Sequence, residues 1–211
     1  MQTPFTTEQF FSVFENYNTT VFPAQIILLL LGCIGALMLH SGIRHKDRII
    51  SGILGILWLW IGLVYHISFF SEINKVAIGF GVIFLIQGLY FLWLGFSGER
   101  IAFEPGGSGW SFMGYFFILY GLILYPTANY FIELHVARTI SLGLPCPTNI
   151  MTLGFLMLAG PKQARYLLII PSIWAVIGIS TAFNLGVYQD LVMPVAAIIA
   201  WTAWFFRRRT A

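Results

Sequence analysis

From Phe22 to Phe206 the chain is a succession of apolar runs joined by short polar links: Phe22–Leu39, Ile49–Phe70, Val76–Phe96, Phe112–Phe131, Thr139–Gly160, Tyr166–Val187 and Leu191–Phe206. A helix rises 1.5 Å per residue, so about 20 residues cross about 30 Å of hydrocarbon. Five of these runs reach that length; the first and last are slightly short and need flanking residues or local thinning of the bilayer. No link is long enough for an extramembrane domain. Only 9% of the 211 residues are charged and 58% are hydrophobic, with a mean hydropathy of +0.84. Soluble domains carry about 25% charged residues. So few charges cannot cover a water-facing surface, and lipid must take that role. The expected fold is all-α: a polytopic membrane bundle of seven transmembrane helices in one domain.

The cations set the orientation. Arg44, Lys46 and Arg48 follow the first run, Arg100 the third, Lys162 and Arg165 the fifth, and Arg207, Arg208 and Arg209 the last; the opposite links hold only Lys75 and Arg138. By the positive-inside rule the larger set is cytoplasmic, which puts the N-terminus outside and the C-terminus inside. Dropping any one run would place either the triple arginine or the Arg44–Arg48 cluster outside. The net charge of +3 is spread over helix ends and does not indicate nucleic acid. Cys33 and Cys146 allow at most one bridge and no disulfide framework. Residues 1–20 lack a basic n-region and start no apolar run, so no cleaved signal peptide is expected.

Those first residues read as an N-terminal interfacial amphipathic helix. Thr6 and Gln9 have the spacing of a capping box, Phe5 and Phe10 that of a hydrophobic staple. Phe10, Phe11, Phe14 and Tyr17 then recur on one face. That face suits either the outer leaflet or the mouth of the bundle. Gly55, Gly62 and His66 share a face of the second run, and Gly81, Gly88 and Gly95 repeat every seven residues in the third. Small residues let helix backbones approach in lipid, so both rows read as packing seams. Pro23-Ala24-Gln25-Ile26-Ile27 also echoes Pro147-Thr148-Asn149-Ile150-Met151, and Trp58–Gly62 echoes Trp174–Gly178. A parallel three-plus-three duplication would produce both echoes, though the third pair of runs shows none.

Chemistry-bearing residues gather toward the outer half. In Gly143-Leu144-Pro145-Cys146-Pro147-Thr148-Asn149 two prolines bar a continuous helix, so the fifth helix restarts near Pro147 and is too short to span alone. Its N-terminus either faces a polar cavity, lined by Cys146, Thr148, Asn149 and Thr152, or simply lies capped near the interface. His66, after Tyr65, lies at similar depth, with Gln189 and Asp190 at the rim. Ionisable groups in spans are functional suspects, yet a lone histidine is also a common structural hydrogen-bonder. Metal-ligand spacing is absent, and Cys146 with Met151 offers too few soft ligands for Cu(I). No phosphate loop, catalytic triad or haem pair is evident, and no cofactor is expected.

Pro4-Phe5-Thr6, Gln9-Phe10-Phe11, Val13-Phe14, Tyr17-Asn18, Pro23-Ala24-Gln25, Tyr65-His66, Phe69-Phe70, Gly143–Thr148 and Gln189-Asp190 together resemble a bacterial family of unknown function, number 6064. The resemblance covers essentially the whole chain. It departs at Asn149, where the family carries a second threonine. It implies the bacterial inner membrane and assigns no activity. The residues themselves favour a non-enzymatic protein that binds or moves a small solute in an outward-facing pocket of Tyr65, His66, Cys146, Thr148, Asn149, Gln189 and Asp190. The alternatives are a membrane-embedded enzyme acting on lipid or thiol substrates, with His66 as acid/base and Cys146 as nucleophile, and an accessory subunit of a membrane complex. The lipid bilayer is the expected partner.

Overall fold

A computed structural model describes residues 4–97 and 101–208, with the backbone alone for 161–163. Arg100 and Arg209, two of the orienting cations, lie outside the described residues. The described chain is helical with no strands, apart from two isolated bridges, Phe103 to Ala159 and Leu142 to Leu144.

The first helix, α1 (Thr7–Thr20), starts as its sequence requires. The Thr6 hydroxyl accepts from the Gln9 amide at 3.2 Å, and the Gln9 side chain accepts from the Thr6 amide at 2.8 Å. Phe5 and Phe10 stack with ring centroids 5.9 Å apart. A bend of 88° then leads into α2 (Ala24–Met38). The apolar face of α1 turns onto the bundle: Phe10, Phe11, Val13, Phe14 and Tyr17 are all buried. Of the two sequence-based options for this face, the bundle mouth is the one the structure shows.

Five helices are long and apolar enough to cross a membrane: α3 (Lys46–Glu72), α4 (Ala77–Phe96), α5 (Gly109–Glu133), α7 (Ala164–Leu185) and α8 (Tyr188–Arg207). The bent α1–α2 pair makes a sixth if taken as one span. The glycine rows of α3 and α4 meet. A Cβ on Gly62 would lie 2.8 Å from the Gly81 carbonyl oxygen, and one on Gly88 would lie 2.9 Å from that of Gly55. The two backbones touch wherever a methyl group is missing.

Between α5 and α7 sits α6 (Pro145–Met157), about 20 Å long and too short to span. Every residue in it except Cys146 is buried. It is the centre of the bundle, packed by α3, α5, α7 and α8. Gly114 of α5 and Gly154 of α6 bring those two backbones together, a Cβ on either meeting the other's carbonyl oxygen, at 2.9 and 2.6 Å. Irregular chain extends α6 at both ends. Beyond Met157, the Gly160 amide donates to Ala102 and the Glu104 amide to Leu158, each at 2.8 Å. The Arg207 guanidinium donates to the Ala159 carbonyl at 3.0 Å, a cation at the negative end of the helix. Before Pro145, the Asn129 side chain accepts from the Ile140 amide at 2.7 Å, and Asn18 donates to Ala137 and Thr139. Non-helical backbone at this depth is therefore held against protein.

Candidate functional site

Where the C-terminal end of α3, the start of α4, the N-terminus of α6 and the C-terminal half of α7 converge, a cavity of about 190 Å³ remains, with α1 over it. Phe10, Phe14, Tyr65, Phe70, Phe80 and Trp174 form its aromatic walls. Ser180, Thr181 and Asn74 supply polar edges, and Cys146 reaches it from α6. Apolar cavities of about 150 Å³ are large enough to bind benzene, so this one has room for a small molecule.

Behind Cys146 lies a buried polar cluster. The thiol donates to Asp190 Oδ2 with sulfur and oxygen 3.3 Å apart, and the Tyr125 hydroxyl donates to Oδ1 at 2.5 Å. Asp190 is completely buried. Cys146 belongs to the first turn of α6, so the carboxylate sits at the positive end of that helix dipole. The indole N–H of Trp174 has the Cys146 sulfur, a weak acceptor, beside it and makes no formed hydrogen bond.

Two irregularities place these side chains. Tyr65 and His66 lie in a π-helical stretch, Ile61–Phe69, and Tyr125 directly follows another, Tyr120–Leu124. A wider turn rotates the following residues off the regular helical face, a device frequent at functional sites. Pro126 lies just beyond the second stretch; its missing amide relaxes the ladder there.

Of the residues singled out in the sequence, Tyr65 and Cys146 line the cavity, and Asp190 stands directly behind Cys146. His66 does not reach Cys146. It lies behind Trp174, ring centroids 5.1 Å apart, and is packed by Phe80 and Phe84. Both of its buried ring nitrogens lack a hydrogen-bond partner. Thr148 accepts from the Gly143 amide at 3.1 Å, closing the loop before α6. Gly143 holds a φ of +94°, which a side chain would strain. Asn149 donates to the Pro171 carbonyl at 3.1 Å, tying α6 to α7, and its Oδ1 is unpaired. Gln189 is half-buried in the turn at the start of α8. Thr152 accepts from the Trp58 indole at 3.0 Å and so belongs to packing against α3. Met151 faces the other way, toward Gly121 and Gly32. Among the described residues no three His, Cys, Asp or Glu side chains gather as metal ligands.

Tyr125 and Trp174 are the site residues that sequence reasoning did not select. Tyr125-Pro126 inside an apolar run was the available signal for the first. Trp174 was visible only through its echo of Trp58.

The roof is fixed by polar contacts. Trp60 donates to the Tyr17 hydroxyl at 2.7 Å, and that hydroxyl donates to the Gly143 carbonyl at 3.2 Å. Arg138 bridges Glu8 at 2.7 Å and Glu15 at 3.0 Å, pinning the outer face of α1 to the chain before α6.

No curated protein and no solved structure matches this chain. A family model described as a family of unknown function (DUF6064) matches residues 7–211, nearly the whole sequence, and the chain belongs to that family.

Proposed function

We propose that this is a seven-span membrane protein, N-terminus outside and C-terminus in the cytoplasm, that binds or moves a small solute through the pocket beneath α1. The seven-span reading rests on α6. Its first turn lies beside Tyr65 and Asp190, while its last meets Ala102 and Arg207, so it carries the chain from one end of the bundle to the other. With α2 as the first crossing, every link cation except Lys75 and Arg138 then falls on one face.

The observation that carries the solute-binding reading is the roofed cavity, with a buried carboxylate one sulfur atom behind its wall. Ionisable groups in spans mark ligand and ion pathways. A thiol-nucleophile enzyme is less well supported, because Cys146 is hydrogen-bonded to Asp190 and His66 stands behind an indole.

The test uses Cys33→Ser protein in sealed, right-side-out vesicles. A membrane-impermeant maleimide should modify Cys146 slowly, and at least several-fold faster when Arg138→Gln releases the roof. No modification in either background, with folded protein confirmed by size-exclusion chromatography, overturns the outward-facing pocket.

A further inference from the structure

The geometry points to a small hydroxylated quaternary ammonium compound as the solute, its cationic head held among the aromatic walls and its hydroxyl accepting from Trp174. This rests on the solute-binding reading above and adds the chemistry of the ligand.

Three features of the cavity carry it. Its walls are aromatic faces and edges contributed by α1, α3, α4 and α7. Tyr65 is stacked between Phe14 and Phe70, with centroids 5.8 and 5.7 Å away, and Trp174 meets Phe80 edge-on at 5.4 Å. Ring faces attract a cation through their quadrupoles and need no hydrogen bond from it. A quaternary nitrogen asks for none. Among the described residues the lining contains no lysine, arginine, aspartate or glutamate, and an acidic side chain, Asp190, stands directly behind it. It lies behind the Cys146 sulfur at 3.3 Å. The α6 N-terminus is a position that would favour an anionic ligand. Here the chain's own carboxylate occupies it, which leaves the cavity suited to the opposite charge.

The third feature is an unmet donor. Trp174 is 8% exposed, lines the cavity, and its indole N–H makes no hydrogen bond. A buried donor without a partner costs about 1–3 kcal/mol. An acceptor oxygen on the ligand would satisfy it. Ammonium head and hydroxyl together define a choline-like molecule, and the cavity admits one of that size.

The experiment titrates full-length, detergent-solubilised protein with choline, with tetramethylammonium and with dimethylbutanol, the neutral carbon isostere of choline. Thermal unfolding is the readout, since a ligand of the native state raises the melting temperature. Choline should stabilise saturably, at concentrations at least tenfold lower than the isostere requires. Trp174→Phe keeps the wall and removes the donor, so it should erase the advantage of choline over tetramethylammonium. Asp190→Asn should weaken both cations and spare the isostere.

Equal stabilisation by choline and the isostere overturns the assignment of charge and leaves the pocket in place. No stabilisation by any of the three, while maleimide still reaches Cys146, overturns the ammonium assignment alone. If Cys146 is also never reached, the pocket itself fails. The wild-type comparison of choline with its isostere needs no variant to fold.

Discussion

Asp190 shows how much one buried carboxylate asks of its surroundings. It receives hydrogen bonds from Tyr125 and Cys146 and has the first turn of α6 beside it. Replacing Tyr125 with phenylalanine keeps the ring and strands Oδ1 in a fully buried site. The expected loss is about 1–3 kcal/mol of unfolding free energy, measured by thermal or denaturant unfolding in detergent. A variant as stable as the parent would show that Oδ1 finds another donor. Cys146→Ser should cost less, because a serine hydroxyl can also donate to Oδ2. The sequence made Cys146 and Asp190 legible, since one sits in a proline-broken apolar run and the other stands just before the last one. It could not make their contact legible. Depth follows from counting residues, whereas facing follows from helix rotation, and the π-helical stretches rotate Tyr65, His66 and Tyr125 away from ideal positions. His66 illustrates the same limit. The sequence grouped it with Cys146, yet its ring packs against Trp174, Phe80 and Phe84 and makes no hydrogen bond to the thiol.

At the scale of elements, two kinds of contact hold the site. The α3–α4 seam was readable because its glycines recur at sevens and so stay on one helix face. The α5–α6 contact was less so: Gly114 and Gly121 are also seven apart and both meet α6, at Gly154 and at Pro147, but the row has only two members and its partner Gly154 belongs to none. Gly88→Ala should destabilise by about 1–3 kcal/mol, as overpacking does, since its methyl group would meet the Gly55 oxygen at 2.9 Å. Gly79→Ala is the matched control. Nothing lies within 4 Å of a Cβ there, and alanine is the better helix former. Equal effects at the two positions would refute the seam.

The roof helix is held by charge, and its response to pH follows from Glu8. The Arg138 guanidinium, by hydrogen bonding and by charge, holds the Glu8 carboxyl below the ordinary carboxylate value of 4.5. A carboxyl whose folded value is depressed contributes fully above its unfolded value and loses that contribution as pH falls through the folded one. The clasp on α1 should therefore hold above about pH 4.5 and loosen below it. Amide exchange across Thr7–Thr20 should quicken on acidification in the parent and already be fast in Arg138→Gln at neutral pH. Raised salt should act in the same direction, because Glu8 is exposed and the pair is screened. An α1 indifferent to acid, salt and the Arg138 substitution would mean that the aromatic face alone seats it.

Over the whole molecule, the apolar runs announced helices without fixing where each one ends. The run Thr139–Gly160 has the length of a span, yet its helix is only Pro145–Met157. That helix starts at Pro145, two residues before the Pro147 start expected from the sequence, because both prolines fit in the first turn, where no amide donor is needed. The bonds to Ala102 and Arg207 replace its last turns. The first run likewise yields α2, Ala24–Met38, about 22 Å long. Hydropathy counts buried residues whether helix or loop carries them, so it overstates both helices. What hydropathy alone leaves open, the cations address: α5 and α7 flank α6 in the chain, and both must start on the same face if Arg100, ahead of α5, and Arg165, at the start of α7, are to share it. Only a returning α6 permits that. Reporter fusions after Lys46 and after Arg208 should therefore both read cytoplasmic, and fusions after Lys75 and Arg138 should both read external. A fusion after Arg138 that reads cytoplasmic would remove α6 as a crossing and turn the pocket away from the outer face.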